Sequence, residues 1–206
     1  MTITKELISP EIIESAYTYE QYVDLVEKLL NEDKTTGENH SESMLHYTRM
    51  NLYRMKRHDK HVELTDSLKR KLQNLDRDMV WLVLTEGWCG DAAQNIPVIN
   101  KMAEATPKIT LRLILRDEQL DIMDDFLTDG KSRSIPKLIC LDANSFEVIG
   151  TWGPRPETAQ KMTLEIKGME GASKKEAAER LHKWYADNES RELQQEFEQL
   201  LDHLYD

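Results

Sequence analysis

The stretch Trp81-Leu-Val-Leu-Thr-Glu-Gly-Trp-Cys-Gly-Asp-Ala-Ala-Gln-Asn-Ile-Pro97 decides how this chain is read. It begins within the longest apolar run of the sequence, Met79 to Leu84, which has charge before it and Gly87 after it. Such a run fits a strand buried on both faces. Beyond it Ala92, Ile96, Ile99 and Ala103 recur at helical spacing, and Pro97 among them is expected to remove a backbone donor and kink the helix. Cys89 therefore falls where a buried strand ends and a helix begins. The unpaired N–H groups and positive dipole end of a first helical turn favour a thiolate, so this position alone predicts an acidified Cys89. Asp91 in the same turn opposes that effect, because a nearby carboxylate raises a thiol pKa, and Glu86 adds to the opposition if it points inward.

Outward from this stretch, the chain alternates on the C-terminal side. Ile109–Leu115 reads as a second strand, Leu120–Leu127 as a short helix, Lys137–Leu141 and Phe146–Trp152 as two more strands, and Glu157–Ile166 as a helix. That alternation implies an α/β sheet. On the N-terminal side the reading is helical. Ser9-Pro10 and the capping-box pair Thr18 and Gln21 open helices, Tyr22, Val26, Leu29 and Leu30 share one face, and a shorter helix starts near Thr65. The last segment returns to helix: Ser173 and Glu176 have capping-box spacing, and Leu193, Phe197, Leu200, Leu201 and Leu204 keep helical period to the end. That terminus is expected to dock on the core or on a partner. The expected organisation is a helical extension over 1–75, an α/β core over 76–170 and a second helical extension over 171–206.

Composition narrows the function. The 206 residues include 38 acidic and 27 basic side chains, a formal net charge of −11, which argues against nucleic acid as a partner. No apolar run approaches the roughly 20 residues that span a bilayer, and a soluble, cytoplasmic protein without a membrane partner is expected. The two cysteines, Cys89 and Cys140, are too few for a disulfide framework or a Cys-rich zinc site. Cys140, on an expected central strand, reads as a buried core thiol. His58 and His61 share a helical face but read as solvated surface, and the Trp184-Tyr185 pair reads as core filling.

The arrangement of Trp88-Cys89-Gly90 after an apolar strand, Pro97 beyond it, Ile135-Pro136 opening the next-but-one strand and Gly153 at the far end of that hairpin resembles the thioredoxin superfamily. The resemblance covers residues 78–168. It implies a central mixed sheet flanked by helices, with Pro136 in a cis peptide facing Cys89 and the backbone of Ile135 free to pair with an extended substrate. It also implies that Trp88, Gly90, Ile135, Pro136 and Gly153 form the substrate-binding surface around Cys89.

The sequence departs from the dithiol pattern of that superfamily. Ala92 stands where a resolving cysteine would be, Asp91 replaces the usual proline, and Val83 takes the place of a buried strand aspartate. The expected activity is therefore thiol–disulfide exchange through Cys89 alone, acting on a protein disulfide or a low-molecular-weight thiol adduct, with an external thiol resolving the mixed disulfide and Asp91 available to exchange a proton. No metal or other cofactor is expected, since Gly90-Asp91-Ala92 departs from the single-cysteine glutaredoxin-like proteins that hold an iron–sulfur cluster. The competing expectation is a redox-inactive binding module that grips an extended peptide between Trp88 and Pro136.

Overall fold

A computed structural model describes residues 7–169 and 173–204. Its sheet has four strands, β1 (Met79–Thr85), β2 (Ile109–Leu115), β3 (Lys137–Asp142) and β4 (Val148–Trp152), in the order β2-β1-β3-β4. β1 runs parallel to β2, with Val83 opposite Leu113, and antiparallel to β3, with Val83 opposite Leu138. Every residue of β1 is buried, which is why it reads as a continuous apolar run without alternation. β3 and β4 form an antiparallel pair whose register slips by one residue between Cys140 and Leu141.

Nine α-helices are described: α1 (Pro10–Ser15), α2 (Tyr19–Asn31), α3 (Glu42–His61), α4 (Asp66–Gln73), α5 (Gly90–Glu104), α6 (Leu120–Asp125), α7 (Glu157–Gly168), α8 (Lys174–Asn188) and α9 (Arg191–His203). A 3₁₀ turn over Arg116–Glu118 precedes α6. Local chemistry sets the starts. Thr18 and Gln21 complete a reciprocal capping box on α2, Thr65 caps α4 through the Leu68 N–H, and Ser173 caps α8 through the Glu176 N–H. Ser9 departs from this pattern: its side chain makes no cap bond, and Pro10 at the first helical position marks the start of α1. α5 continues through Pro97 to Glu104. The described fold is the mixed α/β sheet flanked by helices that the sequence implied, with further helices on both sides of it along the chain.

Those further helices are built into the core. Tyr17 pairs with Leu113 through two backbone hydrogen bonds of 2.9 and 2.8 Å, extending the sheet beyond β2. The α2 side chains Tyr22 and Val26 are buried, and α3 packs along α5. Further along the chain α9 buries Leu193, Phe197 and Leu201, Leu204 just past its end is buried as well, and Phe197 lies against both Trp81 and Trp152, with ring centroids 5.2 and 5.5 Å away. An aromatic cluster of this kind contributes dispersion as well as burial. α9 comes close to β4 because Gly150 has no side chain: a Cβ there would meet Leu204 and Leu200 at 3.0 and 3.1 Å. The last helix therefore docks on this chain's own core.

Candidate functional site

Cys89 is the N-cap of α5, where the Ala92 N–H donates to its sulfur at 3.5 Å. The thiol in turn donates to the carbonyl of Ile135 at 3.3 Å. The loop before β3 thus meets the start of α5 at one atom pair. The Ile135–Pro136 peptide is cis, and so is Gly153–Pro154. Gly153, at φ +114°, approaches the Pro136 backbone so closely that a Cβ would lie 2.2 Å from its carbonyl oxygen. Trp88 is half-buried: the Arg116 guanidinium lies over its ring at 4.9 Å, and Gly37 passes close to its indole nitrogen. Gly90 opens α5, in ordinary contact range of Arg54 and Asn51 on α3.

Of the opposing influences on Cys89, the helix end is the weaker. Only 8% of the residue is exposed. Burial pushes the thiol up to about 12, Asp91 adds to the shift, and the amides of the first turn of α5 together with Arg155 offset only part of it. Helix-end stabilisation is modest, whereas desolvating a thiolate is costly, and the sequence reveals the helix end but not how closely the loops cover it.

Asp91 does more than favour the helix dipole. Its Oδ2 receives the guanidinium of Arg155, with the Nε bond at 3.1 Å and a shorter one from Nη2, while its Oδ1 accepts from the Tyr185 hydroxyl at 2.8 Å. Asn95 closes the group, donating to the Asp91 carbonyl at 2.8 Å and to the Tyr185 oxygen at 3.1 Å. The Asp91 and Arg155 side chains are only 11% and 15% exposed. Burial opposes the Arg155 charge, but the Asp91 carboxylate outweighs it and holds the guanidinium pKa above its ordinary value. Tyr185 is pushed far up, first by burial and then by Asp91.

Two members of this group escaped the sequence reading. Arg155 lies between Pro154 and Pro156 in a segment with no periodic pattern, and only the clustering of a cation with prolines after Gly153 hinted at it. Tyr185 was read as core filling; its ring is buried as expected, but its hydroxyl serves Asp91. His58 likewise departs from the solvated surface expected of it: it is half-buried and bonds to Gln94 at 2.7 Å, while His61 is exposed.

Glu86 points inward and is fully buried, and one of its oxygens accepts from the Asp117 N–H at 2.9 Å. Burial raises its pKa despite that bond. Thr36 and Asn51 secure the turn before Cys89, the first accepting from the Gly87 N–H at 2.8 Å and the second donating to the Gly87 carbonyl at 3.0 Å. Cys140 is completely buried in β3, and both thiols are free. Among the described residues no group of three or more His, Cys, Asp or Glu side chains is placed to hold a metal ion, and no helix is long and apolar enough to cross a membrane.

A mixed sheet that delivers a cysteine to a helix N-terminus opposite the residue preceding a proline defines a thioredoxin-fold protein. The thioredoxin family model matches residues 37–170, and the chain belongs to that family. The match begins ahead of α3, so it takes in two helices, α3 and α4, that lie before β1. Among solved structures, an HIV 4E10 epitope-scaffold is similar over 95% of this chain and 96% of its own, at 18% identity and a TM-score of 0.58. A protein of unknown function from Pseudomonas aeruginosa is similar over 84% and 96% respectively, at 20% identity and a TM-score of 0.46. No curated protein sequence matches the chain.

Proposed function

We propose that this chain is a thiol–disulfide oxidoreductase that works through Cys89 alone. The observation that carries the reading is the 3.3 Å contact between the Cys89 thiol and the Ile135 carbonyl at the start of a helix. An extended substrate whose backbone paired with Ile135 would bring its own sulfur to Cys89.

The resting thiol is neutral, so exchange begins when its proton leaves to a base in solution as substrate docks. The thiolate then attacks one sulfur of a substrate disulfide, the S–S bond breaks, and the departing sulfur takes up a proton. Charge forming on Cys89 is stabilised by the α5 amides and Arg155 and opposed by Asp91. Ala92 offers no second thiol, so a thiolate from solution attacks the mixed disulfide and releases Cys89, which is reprotonated. The external thiol supplies the electrons and ends in a disulfide.

A specific observation favours a second reading, the redox-inactive peptide-binding module: Cys89 is buried, and that burial holds its thiol well above the ordinary range, so it stays protonated at neutral pH. One experiment separates the two. The native chain is incubated with hydroxyethyl disulfide from pH 6 to pH 10 and followed by intact mass, with Cys89→Ser as control. The oxidoreductase gives one adduct, absent from Cys89→Ser, that forms faster as pH rises and is removed by added thiol. Absence of any adduct before unfolding would overturn that reading in favour of the binding module.

A further inference from the structure

Arg54 is a cation at the start of α5 that the oxidoreductase reading does not use. It projects from α3, and its guanidinium lies against the first residue of α5, since a Cβ on Gly90 would meet Nη1 at 3.7 Å. Two contacts hold it there. Nη1 donates to Asn51 Oδ1 at 2.9 Å, and Asn51 is itself buried and fixed on the Gly87 carbonyl. Nη2 lies 3.3 Å from His182 Nε2 on α8.

Neither partner carries negative charge. A guanidinium has only donors, so Nε2 of His182 must accept and the imidazole proton sits on Nδ1, which makes that ring neutral. His182 Nδ1 is buried without a partner among the described residues, and burial followed by the Arg54 charge lowers the ring's pKa. The other arginines around the site are compensated: Arg155 is paired with Asp91 and Arg116 with Asp117. Arg54 is in no ion pair among the described residues, and burial together with Arg57 lowers its pKa. Three of its five donors have no protein acceptor there. A half-buried guanidinium, held rigidly and lacking a counter-ion, is a preorganised fork for a carboxylate. Its place against Gly90, the residue after Cys89, sets that carboxylate at the Cys89 end of α5.

We infer that Arg54 is a specificity-determining residue that docks a carboxylate of the substrate beside Cys89, so that the substrate class is a low-molecular-weight disulfide or thiol adduct bearing a carboxylate close to its sulfur. This rests on the oxidoreductase reading above. The test compares adduct formation at Cys89 by dithiodipropionate, which carries carboxylates, and by hydroxyethyl disulfide, which is neutral, in the wild-type chain, Arg54→Gln and Arg54→Lys. The rate ratio of anionic to neutral probe is expected to fall about tenfold in Arg54→Gln, to fall less in Arg54→Lys, which keeps the charge without the fork, and to shrink with added salt in the wild type. A ratio unchanged in Arg54→Gln would overturn the inference, as would a Lys variant no better than the Gln variant. If neither probe reacts with the wild type, the oxidoreductase reading has failed. Titration of Cys89→Ser with dithiodipropionate by NMR, with and without Arg54→Gln, then decides the carboxylate site by itself: binding that needs Arg54 upholds it, and no binding refutes it.

Discussion

The Tyr185 hydroxyl donates to Asp91 Oδ1 at 2.8 Å, which ties a side chain of α8 to the residue two positions beyond Cys89. The bond is largely shielded from solvent and charge-assisted, so its loss carries a measurable cost. Tyr185→Phe is expected to lower stability by roughly 1.5–3 kcal/mol in urea denaturation while keeping the fold. Paired with Asp91→Ala it should be clearly non-additive, because both substitutions remove the same bond. Simple additivity would mean that the contact carries no energy.

Asp91 and Arg155 act on the thiol with opposite signs. The carboxylate raises the Cys89 pKa and the guanidinium lowers it. Asp91→Asn is therefore expected to speed alkylation of Cys89 at pH 8, and Arg155→Gln to slow it. Each variant leaves a buried charge without its partner, and both are expected to lose on the order of 3–5 kcal/mol of stability. Shifts of the same sign in the pH dependence of alkylation would contradict this account of the site.

Residue 92 tests the alignment of the site. Ala92 is buried, and its N–H donates to the Cys89 sulfur, so a side chain at 92 begins one helical turn from the thiol. Ala92→Cys is expected to form a reversible disulfide with Cys89 under mild oxidation, seen as a loss of two hydrogens by mass spectrometry and reversed by reductant. Two thiols that persist under oxidation would show that the first turn of α5 is not arranged as described.

What the sequence disclosed and what it withheld divide along physical lines. β1 and α5 were legible because burial and helical period are written into adjacent residues, from Met79 to Ala103. Caps such as Thr18, Thr65 and Ser173 were legible because a cap and its partner lie within three positions. The Asp91 group was not, since its bonds reach 64 positions to Arg155 and 94 to Tyr185, and no local spacing encodes those meetings. The balance at Cys89, where the helix end and Asp91 oppose each other, was not legible for a related reason. The helix end is a local feature, but the burial that outweighs it depends on the tertiary fold, which also brings the Ile135 carbonyl to the thiol from 46 positions away.

Gly153 is fixed by close approach as much as by its backbone angle. At φ +114° an L side chain is strained, and a Cβ would be 2.2 Å from the Pro136 carbonyl oxygen. The angle alone costs about 1–3 kcal/mol, and the overlap forces the loops around Pro136 and Pro154 apart. Gly153→Ala is expected to lower the thermal midpoint markedly and to speed alkylation of Cys89 by loosening its cover, whereas Gly130→Ala, strained by its own positive φ but with open space around it, should cost less and leave alkylation unchanged. Equal effects from both substitutions would rule out a special role for the Gly153–Pro136 contact.

His58 and His182 make stability depend on pH, with a sign that follows from their surroundings. Burial is the first cause that holds both pKa values below the ordinary 6.5: it outweighs the Gln94 hydrogen bond at His58 and acts with the Arg54 charge at His182. The unfolded chain takes up protons near pH 6.5 while the folded rings are still neutral, so the unfolded state binds more protons in that window. These two groups therefore stabilise the fold above pH 6.5, and their contribution declines as pH falls through that value towards their folded pKa values. Buried acids act in the other direction. Glu86 and Glu196, raised first by burial, retain protons in the folded state above the ordinary 4.5, and what they contribute is lost as pH rises through their folded pKa values. Urea midpoints measured from about pH 7.5 down to about pH 6 are expected to fall for the wild type and to fall less for His58→Gln with His182→Gln, since glutamine does not titrate. An equal slope in the double variant would assign the pH dependence to other groups.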